Sequence, residues 1–277
     1  MKDYILSGAV IGDTIGSTFE WDNYKPGDDL IRSDTHPTDD SVMTLAIAKA
    51  LIDSYPIEFS DSGMEVVKKN AIKEMVAYYN THSHGYGYGG HFKQWCKGYN
   101  NYEPYNSYGN GSAMRISSVA YACNSIEEVK MLSKAVTEVT HNHPEGIKGA
   151  ESIAVATFMA RMGYKKEEIK DYIVNNYYPE ILDFDLDDLI ENYEFDVSCQ
   201  GSCNVALYCF FISDNFFDAI KKGLLVGGDT DTICAMIGSI AEAYYKELPV
   251  GLSSIIFNYL DEMMISTIEE FNRLYIK

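Results

Sequence analysis

Gly227-Gly228-Asp229-Thr230-Asp231-Thr232 opens the stretch that decides the fold, and Ile233, Met236, Ile237, Ile240, Ala241 and Tyr244 continue it. These apolar positions recur at three- and four-residue steps, the period of one helix face. The carboxylates and hydroxyls ahead of them stand where a helix presents unpaired amides and the positive end of its dipole. A second stretch repeats the pattern near the other end of the chain, where Pro37-Thr38-Asp39-Asp40-Ser41 precedes Val42, Leu45, Ala48 and Ile52. Similar periodicity predicts helices over 64–80, 125–138, 144–162, 166–176 and 203–222. Prolines 26, 37, 56, 104, 144, 179 and 249 fall at breaks between segments, and Gly163 follows Arg161-Met162 as a helix stop. Strands do not alternate with helices, which argues against a parallel α/β sheet. The expected architecture is all-α, a compact multi-helix bundle of about ten or more helices with residues 1–277 in one domain.

A chain of 277 residues can bury a sizeable core. Its net charge of −19 argues against binding a nucleic-acid backbone through a basic surface. An anionic ligand would need metal ions, helix N-termini or backbone amides. The six cysteines form no CxxC pair, and several lie in apolar runs such as Leu207-Tyr208-Cys209-Phe210-Phe211. We expect them reduced and buried in a cytoplasmic protein, without zinc or disulfides. Lys2 followed by the apolar stretch Tyr4 to Ile15 resembles a secretory leader, but Asp3 and Asp13 interrupt it and no cleavage-like site follows. A leader is therefore not expected, nor is a membrane span, which needs about 20 apolar residues.

Either acidic cluster alone is explained by helix capping. Together they offer four carboxylates with hydroxyls alongside, all hard ligands suited to Mg²⁺, Mn²⁺ or Ca²⁺ rather than zinc. If folding joins them, mutual repulsion calls for cations, as in a two-metal site. Gly8, Gly12 and Gly16 recur every four residues and predict a smooth helix face for close packing. Glu20, beside Trp21, is either a surface glutamate or part of a site. Residues 81–111 form a long Gly/Tyr-rich loop, of a kind more often functional than idle, and 177–200 read as irregular and acidic. Ser107-Tyr108-Gly109-Asn110-Gly111-Ser112-Ala113-Met114-Arg115 runs into a helical Ile116-Ser117-Ser118-Val119. Such a turn offers amides to phosphate or pyrophosphate, unless it is a simple turn and cap. It has no P-loop lysine and follows no strand. Neither His141-Asn142-His143 nor His82-Ser83-His84 is read as a zinc pair; contact with a ligand, or capping, fits better.

The order of these motifs resembles the ADP-ribosylglycohydrolase family, which includes the dinitrogenase-reductase-activating glycohydrolases and the ADP-ribosylarginine and ADP-ribosylserine hydrolases. GAVIGDTIGSTFE, PTDDS, SYGNGSAMRI, THNHPEGIKGAE and GGDTDT carry the resemblance across almost the whole chain. It implies an all-α fold with two Mg²⁺ or Mn²⁺ ions in a central cleft. Carried over, Thr38, Asp39 and Asp40 would bind one side of the metal pair, with Asp229, Asp231 and Thr232 on the other. Glu20 matches the family's active-site glutamate. Ser107, Tyr108, Gly109, Asn110 and Gly111, with Ser112 beside them, match the loop that holds the pyrophosphate and distal ribose. His141 matches a ligand-contacting histidine.

The resemblance implies hydrolysis of the glycosidic bond between ADP-ribose and an acceptor, a protein side chain first; the sequence leaves the oligomeric state open, with a monomer favoured. Glu20, Asp40 and Asp231 are the catalytic candidates. Asp40 or Asp231 would be the general base, and Glu20 would orient water or protonate the leaving group. Tyr86, Tyr88 or Tyr108 would stack on adenine. A catalytically silent ADP-ribose binder or structural relative is the alternative. An aspartyl-phosphate phosphatase ranks last, because Asp229-x-Asp231 opens a helix near the C-terminus instead of ending a strand near the N-terminus.

Overall fold

The computed structural model describes residues 5–248 and 250–276. Lys2, Asp3 and Tyr4, at the head of the leader-like stretch, and Pro249 lie outside the described residues. The helices are α1 Ser7–Gly16, α2 Asp39–Asp53, α3 Asp61–Thr81, α4 Gly90–Cys96, α5 Val119–Ala122, α6 Ile126–Thr137 and α7 Pro144–Arg161. They continue as α8 Lys166–Asn176, α9 Leu186–Asn192, α10 Cys199–Phe211, α11 Phe216–Val226, α12 Thr230–Tyr245, α13 Val250–Phe257 and α14 Glu262–Tyr275. Among the described residues the fold is all-α, with one isolated antiparallel bridge between Gly109 and Ser198.

α1 and α12 form the centre. Every residue of α1 is buried, and α12 is buried along almost its whole length. Helices apolar on all faces belong inside a bundle. The glycine stripe lets the two backbones touch. A β-carbon on Gly12 would lie 1.9 Å from the Cys234 carbonyl oxygen; one on Gly8 would lie 2.3 Å from that of Gly238. At the end of the stripe, Thr230 Oγ1 donates to the Gly16 carbonyl at 2.8 Å. α12 also packs on α7, α10 and α11, while α2 packs on α3 and α14. The outer helices are amphipathic. α14 buries Met264, Ile268 and Phe271, each stabilising the packed state by roughly 1.5–3 kcal/mol. Ser60, Ser125 and Asp261 cap α3, α6 and α14 through their side chains, at about 1 kcal/mol apiece.

Three expectations need correction. The helix read over 203–222 is two helices, α10 and α11. Asn215 takes an extended conformation and its side chain accepts the Asp218 amide, while Asp218 in turn accepts the Asp214 amide. These local bonds compete with a continuous helix, and apolar periodicity on both sides hides the break. The loops at 81–111 and 177–200 are also less irregular than they read. The first contains α4. The second contains a 3-10 turn at Pro179–Asp183 and α9, which Asp185 caps. Finally, Asn110–Ser112 is a single 3-10 turn, and the helix after it is only Val119–Ala122. The Gly-Asn-Gly turn therefore does not sit on a helix N-terminus.

All six cysteines are buried and unpaired. No helix among the described residues is long and apolar enough to cross a membrane.

Candidate active site

Close packing of α1 on α12 sets Asp13 beside Asp231, and the start of α2 completes the cluster. Asp13 is wholly buried. It accepts the Thr38 amide at 2.9 Å, Thr38 Oγ1 at 2.7 Å, the Ser41 amide at 3.0 Å and the Ser41 hydroxyl. A carboxylate on α1 thus fixes the N-terminus of α2. Thr38 Oγ1 also lies 3.2 Å from Asp40 Oδ2. The hydroxyl has one proton, and its shorter contact gives that proton to Asp13. Asp40 Oδ2 then has the Thr232 hydroxyl at 3.3 Å as its donor, and Asp40 Oδ1 is buried with no hydrogen-bond partner.

The second acidic cluster arrives through a turn that requires glycine. Gly227 and Gly228 take φ of 81° and 76°, a region that L side chains rarely enter. A β-carbon on Gly228 would also strike the Tyr193 ring at 2.6 Å. Beyond them, Asp229 accepts the Asn110 side-chain amide at 2.6 Å, and Asp231 accepts the amide of Thr232 at 2.9 Å.

The carboxylates form two groups that share Asp231: Asp13, Asp40 and Asp231, and then Glu20, Asp229 and Asp231. Ligand oxygens within each group lie within 4.8 Å of one another. Burial, followed by repulsion from Asp231, pushes Asp13 up to about 6 and Glu20 up to about 7. The same causes, in the same order, hold Asp39, Asp40 and Asp229 well above the usual carboxylate range. Divalent cations fit this arrangement. The donors are hard oxygens, Asp40 Oδ1 has no partner, and added positive charge would relieve the repulsion.

The cluster forms the floor of a cleft of about 420 Å³. Thr38, Asp39, Asp40, Asp229, Asp231, Thr232 and Glu20 all line it, as do Ser107, Gly109, Asn110, Gly111 and His141. Two members of the expected binding loop do not. Tyr108 is half-exposed and sets its ring against His143, 5.2 Å between centroids. Ser112 is buried, and its hydroxyl donates to the Gly146 carbonyl at 2.9 Å, tying the turn to α7. The turn is also anchored on the α10 side, where the Asn110 amide donates to the Val197 carbonyl and the Cys199 amide to the Tyr108 carbonyl. Of the tyrosines read as adenine platforms, Tyr88 is buried between Tyr79 and Phe92, whereas Tyr86 lines the cleft. The histidine pairs do separate work: His143 accepts the Glu145 amide as the cap of α7, and His82 pairs with Asp261.

Sequence reasoning gave no role to Asp13, Tyr105 or Arg115, although all three belong to this region. Asp13 carried a signal, since a carboxylate within an otherwise apolar helix demands partners. Arg115 and Tyr105 carried none, because only tertiary packing brings them to the cleft. A second cleft of about 800 Å³ is larger but lined mainly by apolar side chains such as Ile5, Phe59, Leu248 and Tyr275. The acidic cleft has the convergent polar groups expected of a reactive site.

A helical bundle with two carboxylate groups sharing one aspartate, set beside a Gly-Asn-Gly turn, defines a class of acidic, metal-competent site. The chain belongs to the ADP-ribosylglycohydrolase family, whose model matches residues 5–271. It is similar to the mouse protein named ADP-ribosylhydrolase ARH3, with 25% identity over 87% of this chain and 82% of that protein. It is also similar to ADP-ribosylarginine hydrolase Tri1 of Pseudomonas putida, with 23% identity over 87% of this chain and 69% of that protein. A solved structure titled ADP-ribosylglycohydrolase-related protein complex shares the fold, with a TM-score of 0.70 and 20% identity, covering 98% of this chain and 96% of that one.

Proposed function

We propose that this protein hydrolyses the glycosidic bond between ADP-ribose and a modified acceptor, in the first place a protein side chain, and releases ADP-ribose. A pair of Mg²⁺ or Mn²⁺ ions would be its cofactor. The observation that carries the reading is Asp231, shared by two largely buried carboxylate groups at the floor of a cleft flanked by the 107–111 turn. Family membership supports it, as do relatives named for ADP-ribosyl hydrolysis.

Asp13, Asp40 and Asp231 would hold one ion and Glu20, Asp229 and Asp231 the other, with Thr38, Asp39 and Thr232 completing the oxygen donors. Bound ions of this kind supply Lewis acidity and bring water closer to deprotonation at neutral pH. The chain's own residues orient and exchange protons. Glu20 is the partly exposed member of the catalytic trio and would orient water or protonate the leaving group, whereas Asp40 and Asp231 are buried and one of them would take the proton from water. Ser107, Gly109, Asn110, Gly111 and His141 would hold the pyrophosphate and distal ribose. The acidic chain lets anion binding rest on neutral donors there. Buried, unpaired cysteines suit a reducing, cytoplasmic setting.

The test is incubation with arginine-linked and serine-linked ADP-ribosyl peptides, with Mg²⁺ or Mn²⁺ and then with chelator. Metal-dependent release of ADP-ribose is expected from one of them. Binding of ADP-ribose without any release would identify a silent binder and overturn the enzyme reading.

A further inference from the structure

Among the described residues Arg115 is the largest fully buried side chain, and it lines the acidic cleft. Its guanidinium has no carboxylate in ion-pair contact among the described residues. Nη2 donates to Thr140 Oγ1 at 2.7 Å and faces His141 Nδ1 at 3.4 Å, with the Phe92 ring 5.5 Å from the guanidinium carbon. Thr140 Oγ1 itself lies 2.8 Å from His141 Nδ1 and 3.4 Å from the Thr137 carbonyl.

The proton positions in this triangle follow from one constraint. Arginine has only donors and does not deprotonate in proteins. A proton on His141 Nδ1 would point at another N–H. It would also leave the Thr140 hydroxyl only the more distant Thr137 carbonyl to donate to. With Nδ1 bare, Thr140 accepts from Arg115 and donates to Nδ1 at the shorter distance, and every contact is a donor meeting an acceptor. The neutral ring then carries its proton on Nε2.

Nε2 is the atom turned toward the binding turn. A β-carbon on Gly111 would lie 3.5 Å from it and one on Gly109 3.7 Å. Glycine at both positions leaves it uncovered, and Nε2 meets no hydrogen-bond partner among the described residues. The groups around the imidazole are Arg115, Tyr105 at 5.8 Å between centroids, and Thr140. None is a carboxylate that would favour imidazolium. Burial and then the Arg115 charge hold His141 well below its ordinary value, which keeps the ring neutral.

We propose that Arg115 is a positioning residue that locks His141 in the Nε2–H tautomer, making it a permanently neutral donor aimed at an acceptor oxygen of the cleft's ligand. The ligand in question, a phosphate or ribose oxygen, rests on the functional reading above; the tautomer does not. The buried cation acts through the histidine.

The experiment is a long-range ¹H–¹⁵N correlation spectrum of the histidine side chains in the labelled full chain from pH 5 to 8, with His141→Asn for assignment. The expected His141 pattern is Nε2–H with bare Nδ1, unchanged across the range. An Nδ1–H pattern, or titration to imidazolium, overturns the proposal. Arg115→Lys keeps a donor and should keep the pattern, whereas Arg115→Met should admit the other tautomer. A pure Nε2–H pattern in folded Arg115→Met removes the role of Arg115. If that variant does not fold, Thr140→Val leaves Arg115 as the donor facing Nδ1, and loss of the pattern there is equally fatal. Adding ADP-ribose should shift the Nε2–H resonance. An unmoved resonance with calorimetrically proven binding overturns the ligand half alone, whereas no binding at all overturns the functional reading.

Discussion

Asp13 and Asp231 bring carboxylate oxygens within 4.8 Å of each other although they lie on different helices at opposite ends of the chain. They meet because Gly12, the neighbour of Asp13, lies against the backbone of Cys234, one turn beyond Asp231. The packing of the core and the geometry of the site are the same contact.

Gly12→Ala should therefore damage both. Its β-carbon would fall 1.9 Å from a backbone oxygen, which cannot rotate away, so the helices must part. Overpacking of this kind costs about 1–3 kcal/mol or more. Urea denaturation should show the loss, and calorimetry should show weakened Mn²⁺ binding. An unchanged midpoint would contradict the backbone contact.

Asp40→Asn should change sign with metal. Without ions, Asp40 is crowded by Asp231, Asp13, Asp39 and Asp229, so removing its charge should raise the melting temperature of the chelated protein. The parent should gain stability from added Mg²⁺ or Mn²⁺, about 2.7 kcal/mol at a hundredfold excess over Kd. The variant should gain much less. Equal metal-induced shifts in thermal melts would remove Asp40 from the ligand set.

Asp231→Asn should abolish most hydrolysis while sparing ADP-ribose binding. It weakens both carboxylate groups at once. The expected loss is several kcal/mol of transition-state stabilisation, about a hundredfold or more in rate. Paired rate and affinity measurements decide it, and full activity in the variant would reject the metal mechanism.

Gly111→Val should fold normally and bind ADP-ribose poorly. A β-carbon there makes ordinary contacts, 3.5 Å to His141 Nε2 and 3.9 Å to Met114 Sδ, and Gly111 has no positive φ to strain. The added methyls would cover the histidine donor. Calorimetry on the folded variant tests this, and parental affinity would exclude the turn from binding.

Acid should destabilise the protein through His141. Its folded pKa lies well below 6.5, so below pH 6.5 the unfolded chain takes up a proton that the folded chain refuses. Stability is then lost at up to about 1.4 kcal/mol per pH unit. Asp13 and Glu20, raised to about 6 and about 7, act oppositely in ion-free protein, because the folded state holds their protons up to those values. The difference between parent and His141→Asn isolates the histidine: the parent should lose more stability between pH 7 and 5. Parallel curves would show that His141 is not held neutral.

The sequence by itself determined the class of fold, the ends of most long helices and both acidic clusters. Those signals are local: apolar residues at helical spacing, prolines and caps at the ends, glycines every fourth residue on α1. It also held the positions of the metal-competent residues, because carboxylates at helix starts are visible as strings. Only the tertiary structure decided that Asp13 joins the cluster, that Asp231 is shared by both carboxylate groups, that Tyr88 and Ser112 face inward, and that Arg115 lies beneath His141. The break at Ser213–Asn215 escaped for a related reason. Apolar periodicity continues across it, and the side-chain bonds that end one helix and cap the next compete with the helix at a level that spacing does not encode. Periodicity reports which face of a helix is buried. Which partner buries it, and which polar group it meets there, depends on how closely two backbones approach, and here that distance is set by glycines whose effect appears only when the helices pack.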